Sequence, residues 1–346
     1  MVRFYVKKEE SVNKEESVSK VGVFLIDAGE ITFHDLGNID LNALLEEIEN
    51  HEGAYVPTEA YAIKLRKLFF PSEIWEAITA GSRSHVVIVP QGELFNLPLH
   101  IAKIEEGSAP LCAQVPLCFS VSAVMHFATE RHQLRSLKVN PGDTLTLIAN
   151  IDNKVSGESI VGTSWDDNLT RVFGDMPENK GLSDAVEVMP CDWDSLSPLN
   201  FVPHFLCIAC HGTYDPAFDQ LYGPTLKLGG GDMEFVSQFD IATKLNFTGN
   251  QFLSINACVS GHGGMEGGNV SGFLRAFIAT GAGALGVTQF SVHDRDIVKT
   301  VKNLLRGSRK VAENGGTEFD LVGKLQQYYA SRPTTVMDMF PLVIYL

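Results

Sequence analysis

The sequence predicts an α/β fold with a mostly parallel central sheet, helices on both of its faces and a small N-terminal accessory region. Two observations carry this prediction. From residue 85 onward, strand-length runs rich in β-formers alternate with helical segments, the pattern of successive strand–helix units. Several of these runs, among them Phe205-Leu-Cys-Ile-Ala209 and Phe252-Leu-Ser-Ile-Asn256, are nearly continuous in apolar character, as strands covered on both faces must be.

Taken in order, the first eighteen residues contain a polar, doubly charged echo, Lys8-Glu-Glu-Ser-Val12 and Lys14-Glu-Glu-Ser-Val18. Such a segment buries too little to offset its ordering, so a disordered lead-in is expected in preference to a loose hairpin. Residues 21–26 and 30–33 read as strands around Ala28-Gly29, and 41–49 and 61–70 as helices. Strands are then expected at Val86–Val89, Leu145–Ala149, 185–189, Phe205–Ala209, Phe252–Asn256 and Ala284–Thr288. Residues 271–280 form a helix with Leu274, Phe277 and Ile278 on one face and Gly281 as its stop. Helices over 296–305 and 319–329 lead to a last apolar strand, Leu342–Tyr345. No Pro/Gly/Ser linker cuts the chain, so the organisation is an accessory region over 1–84 and one domain over 85–346.

Composition sets limits on function. The 346 residues are 45% hydrophobic with a formal charge of −15, which excludes a nucleic-acid-binding surface and suits a soluble protein with a basic or neutral partner. No apolar run approaches the roughly 18 residues of a membrane span, and the N-terminus lacks a secretory signal. A cytoplasmic location is expected. The six cysteines, Cys112, Cys118, Cys191, Cys207, Cys210 and Cys258, show no disulfide-framework spacing and are expected as free thiols.

The two strands 205–209 and 252–256 deliver His211 and Cys258 at equivalent points just beyond their ends. In an open α/β sheet both would meet at the carboxyl edge, where such sheets place their sites. A thiolate attacks an amide carbonyl only if a base removes its proton and N–H donors receive the oxyanion. His211 is the candidate base and Cys258 the nucleophile; the backbone N–H groups of Gly212 and Cys258 are the candidate oxyanion hole. Asp215, Asp294 and Asp296 follow strand ends and are candidates for the substrate pocket, where carboxylates would favour a basic P1 side chain, although solvated loop acids remain an equal reading. Asp219 shares that position in the chain.

Cys210-His211-Gly212 after one apolar strand and Asn256-Ala-Cys-Val-Ser-Gly261 after another resemble the CHAT peptidases, relatives of caspases and separase. The likeness extends to Val87-Ile-Val-Pro-Gln-Gly-Glu-Leu-Phe-Asn-Leu-Pro98, to Gly272-Phe-Leu-Arg-Ala-Phe277, to Thr288-Gln-Phe-Ser-Val-His-Asp294 and to Phe340-Pro-Leu-Val-Ile-Tyr345, covering the chain from about residue 60 to its end. Asn256 stands where the family commonly has Ser or Asp, and Phe290 where it has Trp; both positions shape the pocket, which makes Asn256 a further pocket candidate. The resemblance implies a caspase-like fold and a regulated cysteine endopeptidase that cuts a dedicated protein substrate, often in bacterial defence. It also implies a regulatory protein or an upstream sensor module, and no metal or organic cofactor. A catalytically silent scaffold that binds a protein partner through the same cleft is the alternative.

Other patterns point elsewhere. Cys207-Ile-Ala-Cys210-His211 satisfies the haem-attachment spacing, but without an export signal and with its first Cys mid-strand. Cys207, Cys210, Cys258 and His262 supply four zinc ligands on paper, yet strand alternation turns Cys207 and Cys210 to opposite faces. Gly281-Ala-Gly-Ala-Leu-Gly286 fits a dinucleotide fingerprint but follows a helix and enters a strand, the wrong order, so it reads as a tight turn. His262 is a second choice of base, poorly fixed by its glycine neighbours. The Gly261–Gly268 stretch reads as a loop beside Cys258, either an activation loop or a plain connection.

Overall fold

The computed structural model describes residues 1–8, 18–27, 29–48, 57–81, 84–128, 133, 136–140, 145–149, 186–190, 193, 204–213, 225–227, 235–257, 260–261, 265–266, 269–270, 272–291, 294–334 and 340–346. Strands β1 (Val2–Lys8), β2 (Ser19–Asp27) and β3 (Glu30–Ile39) open the chain. They are followed by β4 (Val86–Val89), β5 (Leu117–Phe119), β6 (Ser136–Lys138), β7 (Leu145–Ala149), β8 (Val186–Pro190) and β9 (Phe205–Ala209). A small antiparallel sheet of β10 (His211–Thr213), β11 (Thr225–Lys227) and β12 (Phe235–Ser237) comes next. Then come β13 (Phe252–Asn256), the two-residue strands β14 (Met265–Glu266) and β15 (Asn269–Val270), β16 (Ala284–Thr288), β17 (Glu318–Asp320) and β18 (Leu342–Tyr345).

The main sheet has the order β3-β2-β1-β4-β5-β18-β16-β13-β9-β7-β8. Its neighbours are parallel except for β1–β2, β2–β3 and β16–β18. Two parallel blocks therefore run in opposite directions and meet where β16 pairs with β18. Every residue of β4, β5, β13, β16 and β18 is buried, which requires cover on both faces and explains their mostly apolar sequences. The cover comes from helices such as Glu59–Phe69, Ser72–Thr79, Phe273–Ala279, Asp294–Glu313 and Leu321–Ala330. The long helix Asp294–Glu313 buries Ile297, Val301, Leu304 and Leu305 at helical spacing. No helix among the described residues is long and apolar enough to cross a membrane.

The structure departs from the sequence reading at the N-terminus. Val2–Lys8 is not a disordered lead-in but a strand, because Val2 and Phe4 alternate onto the core and are fully buried. The rest of the polar echo, 9–17, lies outside the described residues. β1 pairs in parallel with β4, Val2 opposite Ile88, so β1–β3 continue the main sheet. The glycine-rich run after Phe273–Ala279 is a helix-to-strand turn. Gly281 has φ +86°, and a Cβ at Gly283 would stand 2.4 Å from the Gln251 carbonyl oxygen, so only glycine fits.

Candidate active site

The parallel pairing of β9 with β13 positions the site. Phe252 lies opposite Phe205 and the register runs on to Asn256 opposite Ala209, so both strands end level at one edge. His211 lies two residues beyond Ala209, and Cys258 two beyond Asn256. β16 lies on the other side of β13 and also runs parallel to it. The chain leaving it reaches the helix Asp294–Glu313, whose first turn holds Asp294 and Asp296. Three adjacent parallel strands, β9, β13 and β16, thus end at the same edge.

His211 and Gly212 belong to β10, which leaves the main sheet and pairs with β11; His211 lies opposite Lys227 and Gly212 opposite Leu226. Cys258, Asp215, Asp219 and His262 lie outside the described residues. Ala257 and Ser260, before and after Cys258 in the chain, are described and buried, and hydrogen bonds hold them. The Ser260 N–H donates to the Ala257 carbonyl at 3.2 Å, closing the chain across two residues. The Ser260 hydroxyl donates to the Ile255 carbonyl at 2.9 Å and accepts from the Thr288 N–H at 3.0 Å. The Thr288 hydroxyl donates to the Ala257 carbonyl and accepts from the Ser260 N–H at 3.3 Å. Finally, the Gly261 N–H donates to the Thr288 carbonyl at 2.7 Å. A Cβ on Gly261 would come to 3.0 Å from that oxygen, so glycine permits the approach.

Asn256 is buried, and its side chain is occupied on the sheet. It accepts from the Ser254 hydroxyl at 2.7 Å, and its amide donates to the Cys207 sulfur at 2.7 Å. Ser254 pairs with Cys207 across the strands, so period-two alternation puts all three side chains on one face. Cys112, Cys118, Cys207 and Cys210 are free and buried, and burial pushes the Cys112 thiol far up. Among the described residues no three His, Cys, Asp or Glu side chains are grouped to hold a metal. A cleft of about 860 Å³ lies elsewhere, bounded by Val87 of β4 with Asp27, His85, His126 and Lys138. Sequence reasoning missed the Ser260–Thr288 exchange; its one signal is a pair of hydroxyl residues within otherwise apolar buried segments.

Residues 192–315 match the model of one family, the CHAT domain. This part of the chain resembles a CHAT domain. The CHAT segment contains β9, β13 and β16, and with them His211, Cys258 and Asp294. Among solved structures, the chain is similar to Saccharomyces cerevisiae separase in two separase–securin crystal structures, at 15% and 14% identity with TM-scores of 0.47 and 0.48. Each alignment covers 77% of this chain but only 15% and 16% of the separase chain. It is also similar to the Arg-specific cysteine proteinase gingipain R, at 10% identity and a TM-score of 0.45, covering 87% of this chain and 69% of that one. No curated protein matches the chain.

Proposed function

We propose that the chain is a regulated cysteine endopeptidase that cleaves a protein substrate, with Cys258 as nucleophile and His211 as general base. The observation that carries this reading is the level ending of β9 and β13 inside the CHAT segment, Ala209 opposite Asn256. The thiolate of Cys258 adds to the scissile carbonyl carbon while the N–H groups of Gly212 and Cys258 receive the oxyanion. The C–N bond then breaks, His211 gives its proton to the leaving amine, and a thioester remains. Water adds to that thioester as His211 takes its proton, and the sulfur leaves. Asp215, Asp294 and Asp296 would line the cleft and favour a basic P1 residue; Asn256 would act through the strand end it stiffens. The location is cytoplasmic, and bacterial defence is the setting in which the resemblance places such enzymes.

The test is cleavage of a diverse peptide library by wild type, Cys258→Ala and His211→Ala, read by mass spectrometry. Cleavage by wild type that both substitutions abolish is the expected result. Equal cleavage by Cys258→Ala and wild type would overturn it. A wild type that neither cuts nor reacts at Cys258 with an electrophilic peptide probe would leave the silent scaffold as the reading.

A further inference from the structure

The N-terminal part of the sheet has one covered face and one open one. On the covered face, Phe4 packs edge-on against Phe69 and Phe70, at 6.0 and 5.9 Å between ring centroids, and the His34 imidazole nitrogen lies 3.6 Å from Glu73. The helices Glu59–Phe69 and Ser72–Thr79 supply that cover. The opposite face carries the alternate side chains of the same three strands. Tyr5 is 43% exposed, Phe33 53% and Ile31 66%, while Phe24 and Ile26 are half-buried. The described residues leave Tyr5, Phe33 and Ile31 exposed, while Ile26 borders the cleft beside Met1, Asp27 and Phe127.

The register orders this face into rows. Ile26 lies opposite Ile31, and Phe24 opposite Phe33, with Phe24 also opposite Arg3. The Phe24 and Phe33 rings meet at 4.9 Å, and the Phe33 ring occupies the space over Gly22, where a Cβ would stand 2.6 Å from it. At the other end Lys7 lies directly opposite Lys20. Like charges facing each other across strands destabilise a sheet. Asp35, 3.2 Å from Lys20, offsets only one of the two. Among the described residues this face therefore gathers Arg3, Lys7 and Lys20 beside an exposed apolar ridge, with Asp35 the carboxylate paired to Lys20.

We infer that this face of β1–β3 docks an acidic amphipathic helix of a partner protein, apolar residues against Tyr5, Phe33 and Ile31, carboxylates against Arg3 and Lys7. A helix is the occupant because α/β sheets bury an apolar face under helices. An added strand is disfavoured: β3 is the edge strand, and it carries the extra residue Leu36 between Gly37, opposite Val21, and Asp35, opposite Gly22, together with the charge of Asp35, devices that deter edge pairing. An anionic membrane, far wider than this face, would also meet the acidic remainder of a chain of net charge −15, whereas a single helix meets only the basic face within a Debye length. This inference stands apart from the peptidase reading, since the face belongs to β1–β3 and the CHAT segment begins at residue 192.

The test titrates the intact chain into a fluorescent synthetic helical peptide with a Leu/Phe stripe flanked by Glu, and into its twin with Lys for Glu. The Glu peptide should bind wild type at least ~10-fold more tightly than the Lys twin, with the preference shrinking as salt rises. Phe33→Asn and Lys7→Glu should each weaken Glu-peptide binding ~10-fold while thermal unfolding stays near wild type. Ile31→Asn replaces Phe33→Asn if that variant does not fold. Equal binding of the two peptides, or unchanged binding by the variants, would overturn the inference. So would patch-dependent binding to phosphatidylserine vesicles without peptide binding, or a wild-type dimer that Phe33→Asn converts to monomer.

Discussion

Ser260 and Thr288 exchange hydrogen bonds across the carboxyl edge of the sheet: the Ser260 hydroxyl accepts the Thr288 N–H at 3.0 Å, and the Thr288 hydroxyl accepts the Ser260 N–H at 3.3 Å. With the Thr288 hydroxyl also donating to the Ala257 carbonyl, the residues on either side of Cys258 are tied to the end of β16. Thr288→Val keeps the shape but removes the hydroxyl, leaving buried partners unsatisfied at a cost of about 1–3 kcal/mol. Displacing a nucleophile by a fraction of an ångström to 1 Å lowers turnover by up to about 100-fold. On the peptidase reading proposed above, with Cys258 as nucleophile, peptide cleavage by Thr288→Val should therefore fall in kcat more than it changes KM, and Thr288→Ser should restore it. A Thr288→Val enzyme with wild-type kcat would show that the clamp does not position the nucleophile.

Asn256 argues in the same way from the neighbouring strand. Its amide donates to the Cys207 sulfur and its carbonyl accepts from the Ser254 hydroxyl, all buried. Asn256→Asp replaces the donor with a carboxylate, and the buried charge has no cationic partner there among the described hydrogen bonds and ion pairs. Its stability should drop by about 2 kcal/mol or more at pH 7 and recover partly in acid, where the new carboxyl is neutral. Denaturant midpoints at the two pH values measure this, and a midpoint that falls equally at both would point to packing instead of charge.

Much of this architecture was legible in the sequence. The limits of β9, β13, β16 and β18 coincide with the mostly apolar, β-forming runs read from the sequence, since strands buried on both faces admit few polar residues. β5 was not legible because Leu117-Cys-Phe119 is only three residues long and gives no period. β1 was masked by its polar continuation, although Val2, Phe4 and Val6 alternate clearly. His211 and Cys258 stood out because their chemistry is distinctive. The Ser260–Thr288 clamp did not, because neither residue is reactive and their proximity is a product of β13 pairing with β16.

Lys103 shows what holds the crossing from the first helices to the C-terminal strand. Its ammonium is fully buried and bonds to the Glu59 carboxylate and, at 2.9 Å, to the Thr334 carbonyl. Glu59 also accepts the Gly107 N–H at 2.7 Å, and the Lys103 bond, with that backbone bond, lowers its pKa. Glu59→Ala leaves a buried ammonium without its counter-charge, an error that costs about 3 kcal/mol. Lys103→Met, which removes the charge and keeps the stem, should cost less. Urea unfolding of both variants tests the order, and an equal loss in the two would mean that the packing of the Lys103 stem matters more than its charge.

His100 makes stability depend on pH in a window that acid-sensitive carboxylates do not reach. It is fully buried, stacked parallel on Phe290 at 5.8 Å, and its Nε2–H donates to the Phe340 carbonyl at 2.9 Å. Burial lowers its pKa from 6.5 to about 4, against the opposing effect of that hydrogen bond. Between these values the unfolded chain binds a proton that the folded chain refuses, so this stabilisation is complete above pH 6.5 and is lost as the pH falls towards 4. The loss reaches about 2 kcal/mol at pH 5 and about 3 kcal/mol at the lower end. His100→Gln retains a donor for the Phe340 carbonyl and does not titrate. The difference in unfolding free energy between wild type and His100→Gln should therefore shift by about 2 kcal/mol between pH 7.5 and pH 5, to the relative advantage of the variant in acid. A difference that stays constant across that range would mean the folded protein accepts a proton on His100 as readily as the unfolded chain does.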